Sequence, residues 1–228
     1  PELAVLGGQS ELFDYALTCM NQDSWDVLYA NNIPVDTHTS DYISATADRH
    51  RYRIVSQPSE SSPYIDVRTS WSKFLSGRSK KFRANLIRSQ RRCESLGDVR
   101  MQWYGEADET GTLLDQILQV EERSWKRGKG LAISSRPSEL AYHRLLLPLL
   151  ESWGALHANV LIHKNRPIAY VLGCRKDGWV GQLKTSFDNE FRDAGSHVID
   201  ENVRSAFSLD VDQYDFLGDR APHKTRWT

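Results

Sequence analysis

The chain has 228 residues, 39% of them hydrophobic, with 29 Lys and Arg set against 30 Asp and Glu. That length fits one large domain or two small ones, and the balanced charge argues against a globally basic nucleic-acid protein or a charged disordered tail. No apolar run is long enough to cross a bilayer. Cys19, Cys93 and Cys174 are odd in number and far apart. They make neither a metal-ligand spacing nor a disulfide framework, which fits a reducing compartment and a cytoplasmic location. The chain begins with Pro1 rather than Met, so a fragment is expected, and the lack of a signal peptide says nothing about a native N-terminus.

In chain order, residues 1–62 read as a short irregular segment. Strands are expected at Leu3–Leu6, Trp25–Ala30 and Tyr52–Val55, with Ser24–Ala30 equally readable as the start of a helix. Ser56–Pro63 is a polar, proline-bearing break that reads as a linker or exposed loop. A brief strand, Tyr64–Val67, follows. Thr69 to Leu96 reads as a helix, capped by Thr69 or Ser70 and stopped by Gly97, with Trp71, Leu75, Phe82, Leu86 and Cys93 in one apolar stripe. Gly77 and Ser79 weaken its middle, so two helices are the alternative. Val99–Tyr104 is an expected strand and Asp108–Lys126 an amphipathic helix. After the Gly128-Lys-Gly130 break, Ser138 is expected to cap a helix running to Trp153, kinked at Pro148. Strands at Ala155–His163, Arg166–Arg175 and Trp179–Phe187 are joined by hairpin turns at 163–166 and 176–178. A loop, a helix from Ser196 to Leu209 and a strand at Gln213–Leu217 complete the order. The pattern is α+β, with helices packed on a mostly antiparallel sheet.

Every ionisable side chain from Arg68 to Arg92 is cationic. This stretch is either a surface for a polyanion (an acyl carrier protein, transfer RNA or an anionic headgroup) or a solvated face neutralised by acids elsewhere. The near-zero net charge favours the second reading. Trp71 and Phe82 belong to the apolar stripe, so no aromatic row among the cations is expected for base stacking, which argues against nucleic acid.

Residues 191–197, Phe-Arg-Asp-Ala-Gly-Ser-His, lie between a strand and a helix. Unpaired amides and the positive end of a helix dipole there suit a phosphate. This Arg-x-x-Gly loop and the order of elements resemble the GNAT acyltransferase superfamily. Residues 64–227 more closely resemble CelD-type acyltransferases, associated with cellulose or exopolysaccharide biosynthesis and related to the FemAB proteins. The matching stretches are Phe82-Arg-Ala-Asn-Leu86, Glu121-Glu-Arg-Ser-Trp-Lys126, Gly130-Leu-Ala-Ile133, Arg166-Pro-Ile-Ala169, Lys184-Thr-Ser-Phe-Asp188, Asp215-Phe-Leu-Gly-Asp219 and Lys224-Thr-Arg-Trp227. The resemblance implies two tandem GNAT-like halves. Residues 1–62 would be the remnant of the first, 63–97 a basic connecting region, and 98–228 the complete C-terminal half. Two departures stand out: His197 replaces the usual Gly or Ala, and the CelD-type Ser-Pro-Gly reads Asp193-Ala-Gly195.

By that resemblance the chain is an N-acyltransferase moving an acyl group from a thioester, acetyl-CoA or another acyl-CoA, to an amine. The amine belongs to an amino sugar, an amino acid or a cell-envelope precursor. Such a reaction needs a positioned donor, a base and an oxyanion stabiliser. Glu121 is the first candidate for the base, because Trp125 beside it would raise its pKa by desolvation; a solvated helix carboxylate with Lys126 or Arg123 nearby is the alternative. Asp188 and Asp215 are the other candidates, and an ion pair with Lys184 or Lys224 is the alternative at Asp215. Lys184, Thr185, Arg192, Gly195, Ser196 and His197 are the expected donor contacts. Trp125, Lys224 and Arg226 are the substrate contacts that the resemblance implies. His143, His157 and His163 fall on separate elements and suggest no metal site. Two further readings stay open: a FemAB-like transferase using aminoacyl-tRNA docked on the basic helix, and a catalytically silent accessory protein of polysaccharide assembly.

Overall fold

Three long strands with two-residue turns build the centre of the molecule. In the computed structural model, which describes residues 9–21, 24–30, 33, 38–58, 61–105, 110–218 and 220–228, Lys164 and Asn165 take φ of 48° and 63°. Asp177 and Gly178 take 50° and 78°. Two consecutive left-handed residues give the turn whose twist matches paired strands. They fold Leu156–His163 (β3), Arg166–Lys176 (β4) and Trp179–Phe187 (β5) into an antiparallel meander. Val99–Tyr104 (β2) pairs antiparallel with β3. Gln213–Asp215 (β6) lies parallel to β5, and Tyr64–Asp66 (β1) pairs antiparallel with β6, giving the order β1-β6-β5-β4-β3-β2. A parallel neighbour needs a crossover, and the helix Arg192–Ala206 (α8) supplies it.

Both faces of the sheet are covered. On one, α8 packs with Trp71–Ser76 (α3) and Lys80–Glu94 (α4) over Leu161, Val171, Val180, Tyr214 and Trp227. On the other lie Thr110–Glu122 (α5), Trp125–Gly128 (α6), a 3-10 turn at Ile133–Ser135 and Pro137–Ser152 (α7). Leu113, Ile117 and Val120 of α5, all fully buried, meet Val160, Tyr170 and Leu172 there. Helices on an antiparallel-rich sheet make this α+β, the class that the sequence pattern predicts.

The chain divides into two units, residues 1–60 and 61–228. The first holds two helices that the sequence reading missed, Gln9–Met20 (α1) and Thr39–Arg49 (α2). Asp14 of α1 pairs with Arg49 of α2 and with His50, at 3.1 Å from the histidine. Trp25–Ala30 and Tyr52–Val55 are not strands; Trp25 instead packs on Tyr52 with ring centroids 5.1 Å apart. The strand expected at Leu3–Leu6 falls outside the described residues.

Elsewhere the differences are at ends and breaks. The expected 69–96 helix is two, α3 and α4, because Ser70 and Ser79 each accept an N-terminal amide, from Lys73 and Phe82. Pro137 rather than Ser138 starts α7, its missing N–H costing nothing in the first turn. Helix α8 starts at Arg192, four residues before the expected Ser196. Strand β6 stops at Asp215, and Leu217 beyond it is left-handed at 52°. A short unexpected helix, Pro222–Thr225 (α9), ends the fold. No helix among the described residues is long and apolar enough to cross a membrane.

Candidate active site

Strand β5 has two halves. Trp179, Val180 and Gly181 pair with β6; from Gln182 to Phe187 the only ladder is with β4. The strands part because the chain leaves β6 through left-handed Leu217 and Gly218, while the Phe216 amide turns to Pro63 O at 3.0 Å. A bulge sits at the parting: Gln182 opposes Gly173 and Lys184 opposes Leu172, leaving Leu183 as an extra residue. The extra residue reverses the alternation. Gln182 therefore faces α8 and meets the Tyr214 hydroxyl at 3.0 Å, whereas Lys184 faces α7 and binds Glu139. Gly173 is required at this point, since a Cβ there would lie 2.8 Å from Gly181 O and 2.9 Å from His157 O.

Beside the open half lies a buried ionic cluster. Helix α5 ends at Glu122, and Ser124 both donates to Glu121 O at 2.9 Å and accepts the Lys126 amide at 3.2 Å. That break turns Lys126 back under Glu121, a pairing no continuous helix makes at a separation of five. Lys126 Nζ donates to Glu121 Oε1 and to the Thr185 carbonyl of β5, both at 2.8 Å. The Tyr170 hydroxyl donates to Glu121 Oε1 at 2.6 Å, and the Ile133 amide to Oε2 at 2.7 Å. Glu121 is fully buried. Burial alone would push its carboxyl up, but the Lys126 charge and these three donors hold it below the ordinary range. Burial brings Lys126 down despite Glu121, and sends the Tyr170 hydroxyl far up.

The expected rise of the Glu121 carboxyl beside Trp125 is therefore overturned: the donors around it outweigh burial. Trp125 is 42% exposed, with Lys129 Nζ 5.2 Å from its ring centroid. Asp188, 2% exposed, is gripped by Arg123 at 2.7 Å and Arg166 at 2.5 Å and accepts the Glu190 amide at 3.1 Å. Burial pushes its carboxyl up, and Arg166, the Glu190 amide and Arg123 carry it below the usual value. It ties the end of β5 to α5, with the Asn189 amide donating to Arg123 O at 3.0 Å. Asp215 accepts from Ser62 and, at 2.7 Å, from the Leu217 amide. Lys184 takes Glu139 instead, which also holds Arg136.

The 191–197 stretch is not the open loop the sequence implied. The Ala194 amide donates to Phe191 O at 2.9 Å, and Gly195, Ser196 and His197 are already inside α8. Gly195 permits close packing on β5, because a Cβ would fall 2.4 Å from Phe187 Cδ1. It makes no phosphate cradle. His197 faces a concavity with Glu94, Met101 and Glu201, toward α4 and β2, and burial lowers its pKa. Arg192 is exposed at the first position of α8. Lys224 Nζ donates to Leu217 O at 2.6 Å, and Arg226 lies 3.7 Å from Asp200 and over the Trp227 ring.

The structure thus brings Glu121 and, through Glu139 of α7, Lys184 to the α5 face of the open half of β5, with the backbone carbonyl of Thr185 joined to Glu121 through Lys126. Asp188 stands at its end. It holds Asp215, Lys224, Arg226 and His197 elsewhere. Tyr170 and Glu139 are the residues that sequence reasoning missed, and Lys126 is expected there only as a neighbour of a solvated Glu121, not as its buried partner. The signal for Lys126 was Ser124, a capping residue within an apparent helix; Tyr170 was a hydroxyl in an otherwise apolar strand. Among the described residues no group of three or more His, Cys, Asp or Glu could hold a metal ion.

No curated protein matches the chain. Solved structures resemble it at low identity. The C-terminal domain of a putative lysylphosphatidylglycerol synthetase from Agrobacterium fabrum is 12% identical with a TM-score of 0.47, over 69% of this chain and 45% of that one. FemX is 12% identical with a TM-score of 0.39, over 96% and 74%. A GNAT family acetyltransferase from Staphylococcus aureus is 13% identical with a TM-score of 0.36, over 50% and 82%. The chain spans less than half the length of the first of these. The model of the GNAT acetyltransferase domain matches residues 80–225, which is most of the chain and takes in α4, the meander, the open half of β5 and α8. The chain belongs to the GNAT acetyltransferase domain family.

Proposed function

We propose that this protein transfers an acyl group from a thioester, acyl-CoA being the first candidate, to the amine of an amino sugar, amino acid or cell-envelope precursor. The observation carrying this reading is the parting of β5 from β6 after Gly181 and Asp215. An edge with a ladder on one side only is suited to the amide-bearing arm of a pantetheine thioester, which would add to it as a short strand. Exposed Arg192 and the first amides of α8 would receive the phosphates. Gly195, Ser196 and His197 have no part in that contact, being inside the helix. The tandem arrangement, with residues 1–62 ending a first GNAT-like half, belongs to the same proposal.

Chemistry at this edge rests on positioning. Lys126 holds the Thr185 carbonyl, so Glu121 and Tyr170 act through it as positioning residues that set the course of β5. Glu121, Glu139 and Asp188 each carry cationic partners, and none is a free base. The amine then attacks in its neutral form and gives its proton to water as the tetrahedral intermediate collapses and the thiolate leaves. Release of coenzyme A thiol from acetyl-CoA, measured against a panel of amino sugars and amino acids, tests the reading. Acceptor-dependent release is expected, rising with pH along the acceptor amine's own titration. No release with any amine, and no thermal stabilisation by coenzyme A, would favour the silent accessory protein instead.

A further inference from the structure

Helix α4 carries a second feature, separate from the thioester site. Its inward side is Phe82, Leu86, Ser89 and Cys93, packed toward α8 and Trp227. At 100° per residue, the opposite side is Lys80, Ala84, Ile87, Arg88 and Arg91, with Lys81 at one edge and Glu94 at the other, all exposed. None of the four cations has an acidic partner among the described residues. Arg92, at the edge of this face, pairs with Asp193 at 3.0 Å. Ile87 is 49% exposed between the cations, over a shallow concavity that Ala84, Ile87, Arg88 and Arg91 help to line. Fifteen residues make a straight strip about 22 Å long. In a chain with a formal charge of −1, this is segregated charge.

We infer that the outer face of α4 docks the protein on an anionic phospholipid surface. The complementarity is of charge: a straight row of unpaired cations fits a plane of phosphate headgroups, each cation adding about fivefold to partitioning. Ile87 supplies an apolar contact at the headgroup level. The face offers no aromatic for stacking bases, which single-strand recognition uses. Because the apolar side of α4 is committed to the core, the helix rests on the surface without inserting.

Co-sedimentation with vesicles of phosphatidylglycerol and phosphatidylcholine in equal parts, and with phosphatidylcholine alone, tests this on the full chain. The anionic vesicles alone should bind the protein, less well as salt is raised. Arg88→Glu with Arg91→Glu should lower partitioning at least about 25-fold, with far-UV circular dichroism unchanged, while Arg88→Lys with Arg91→Lys keeps it. Absence of binding to anionic vesicles at low salt, equal binding by the charge-reversed variant, or tighter binding of single-stranded RNA or of an acidic acyl carrier protein at the same ionic strength would overturn it. Thiol release from acetyl-CoA without vesicles is read separately, so the docking surface and the transferase reading can fail independently.

Discussion

The two faces of the sheet hold their polar groups in opposite ways. Under α5 the buried groups are charged: Glu121 and Lys126, with Tyr170 and the Thr185 carbonyl as partners. Under α8 they are mostly neutral. Asn159 donates to Val198 O at 3.1 Å, Asn202 to Asn159 at 3.0 Å, and Tyr214 to Asn202 at 2.8 Å, with Gln182 on the same hydroxyl at 3.0 Å. Both systems end on β5, one at Thr185 in the open half and the other at Gln182 where β6 departs. The edge is held from both sides, by an ion pair that tolerates no missing partner and by an amide chain that tolerates loss more readily.

Breaking the charged side is expected to have the largest effect. Lys126→Met leaves a buried, uncompensated Glu121 and should cost about 3–5 kcal/mol in urea unfolding, whereas adding Glu121→Gln should restore much of it. A double variant no better than the single would show that the pair is not the unit. On the neutral side, Asn202→Ala strips a donor from Asn159 and an acceptor from Tyr214, for about 2–3 kcal/mol.

A titration sharpens the same contrast. Asp200, on the α8 face, accepts from Ser89 at 3.0 Å and is raised by burial to about 7. Its folded-state pKa lies above the unfolded value, so stability falls as pH rises from about 4 to about 7. His157 is lowered by burial, and secondarily by Arg175, to about 4. Its contribution runs the other way: stability falls as pH drops from about 6.5 to about 4. The two slopes oppose each other in the shared window. Asp200→Asn should therefore expose a decline toward acid of up to about 1.4 kcal/mol per pH unit, followed as Tm against pH; an unchanged profile would refute the assignment. The smallest effect expected is Gly195→Ala, where crowding of Phe187 outweighs improved helix propensity by about 1 kcal/mol.

Legibility in the sequence follows the range of the interactions. The meander was readable because alternation and turn chemistry are local: Lys164-Asn165 and Asp177-Gly178 carry their turns with them. The amphipathic stripes of α4 and α5 were readable for the same reason. The bulge at Leu183 was not, since it exists only in the register between β4 and β5 and it alone decides that Gln182 and Lys184 face opposite ways. Glu121 stands out in the sequence for its apolar neighbour Trp125, but the sign of its shift depends on Lys126, Tyr170 and Ile133 converging from three elements. Gly195 was read as a phosphate contact because a glycine ahead of a helix and a glycine inside one look alike until Phe187 is placed.

Hydrogen exchange in the presence of acetyl-CoA tests the central claim most directly. Amides from Gln182 to Phe187 and those of Arg192 and Asp193 are predicted to exchange more slowly with donor bound, while those of α4 stay unchanged. Saturating acetyl-CoA that leaves the second half of β5 unprotected, or that protects only α4, would contradict the account.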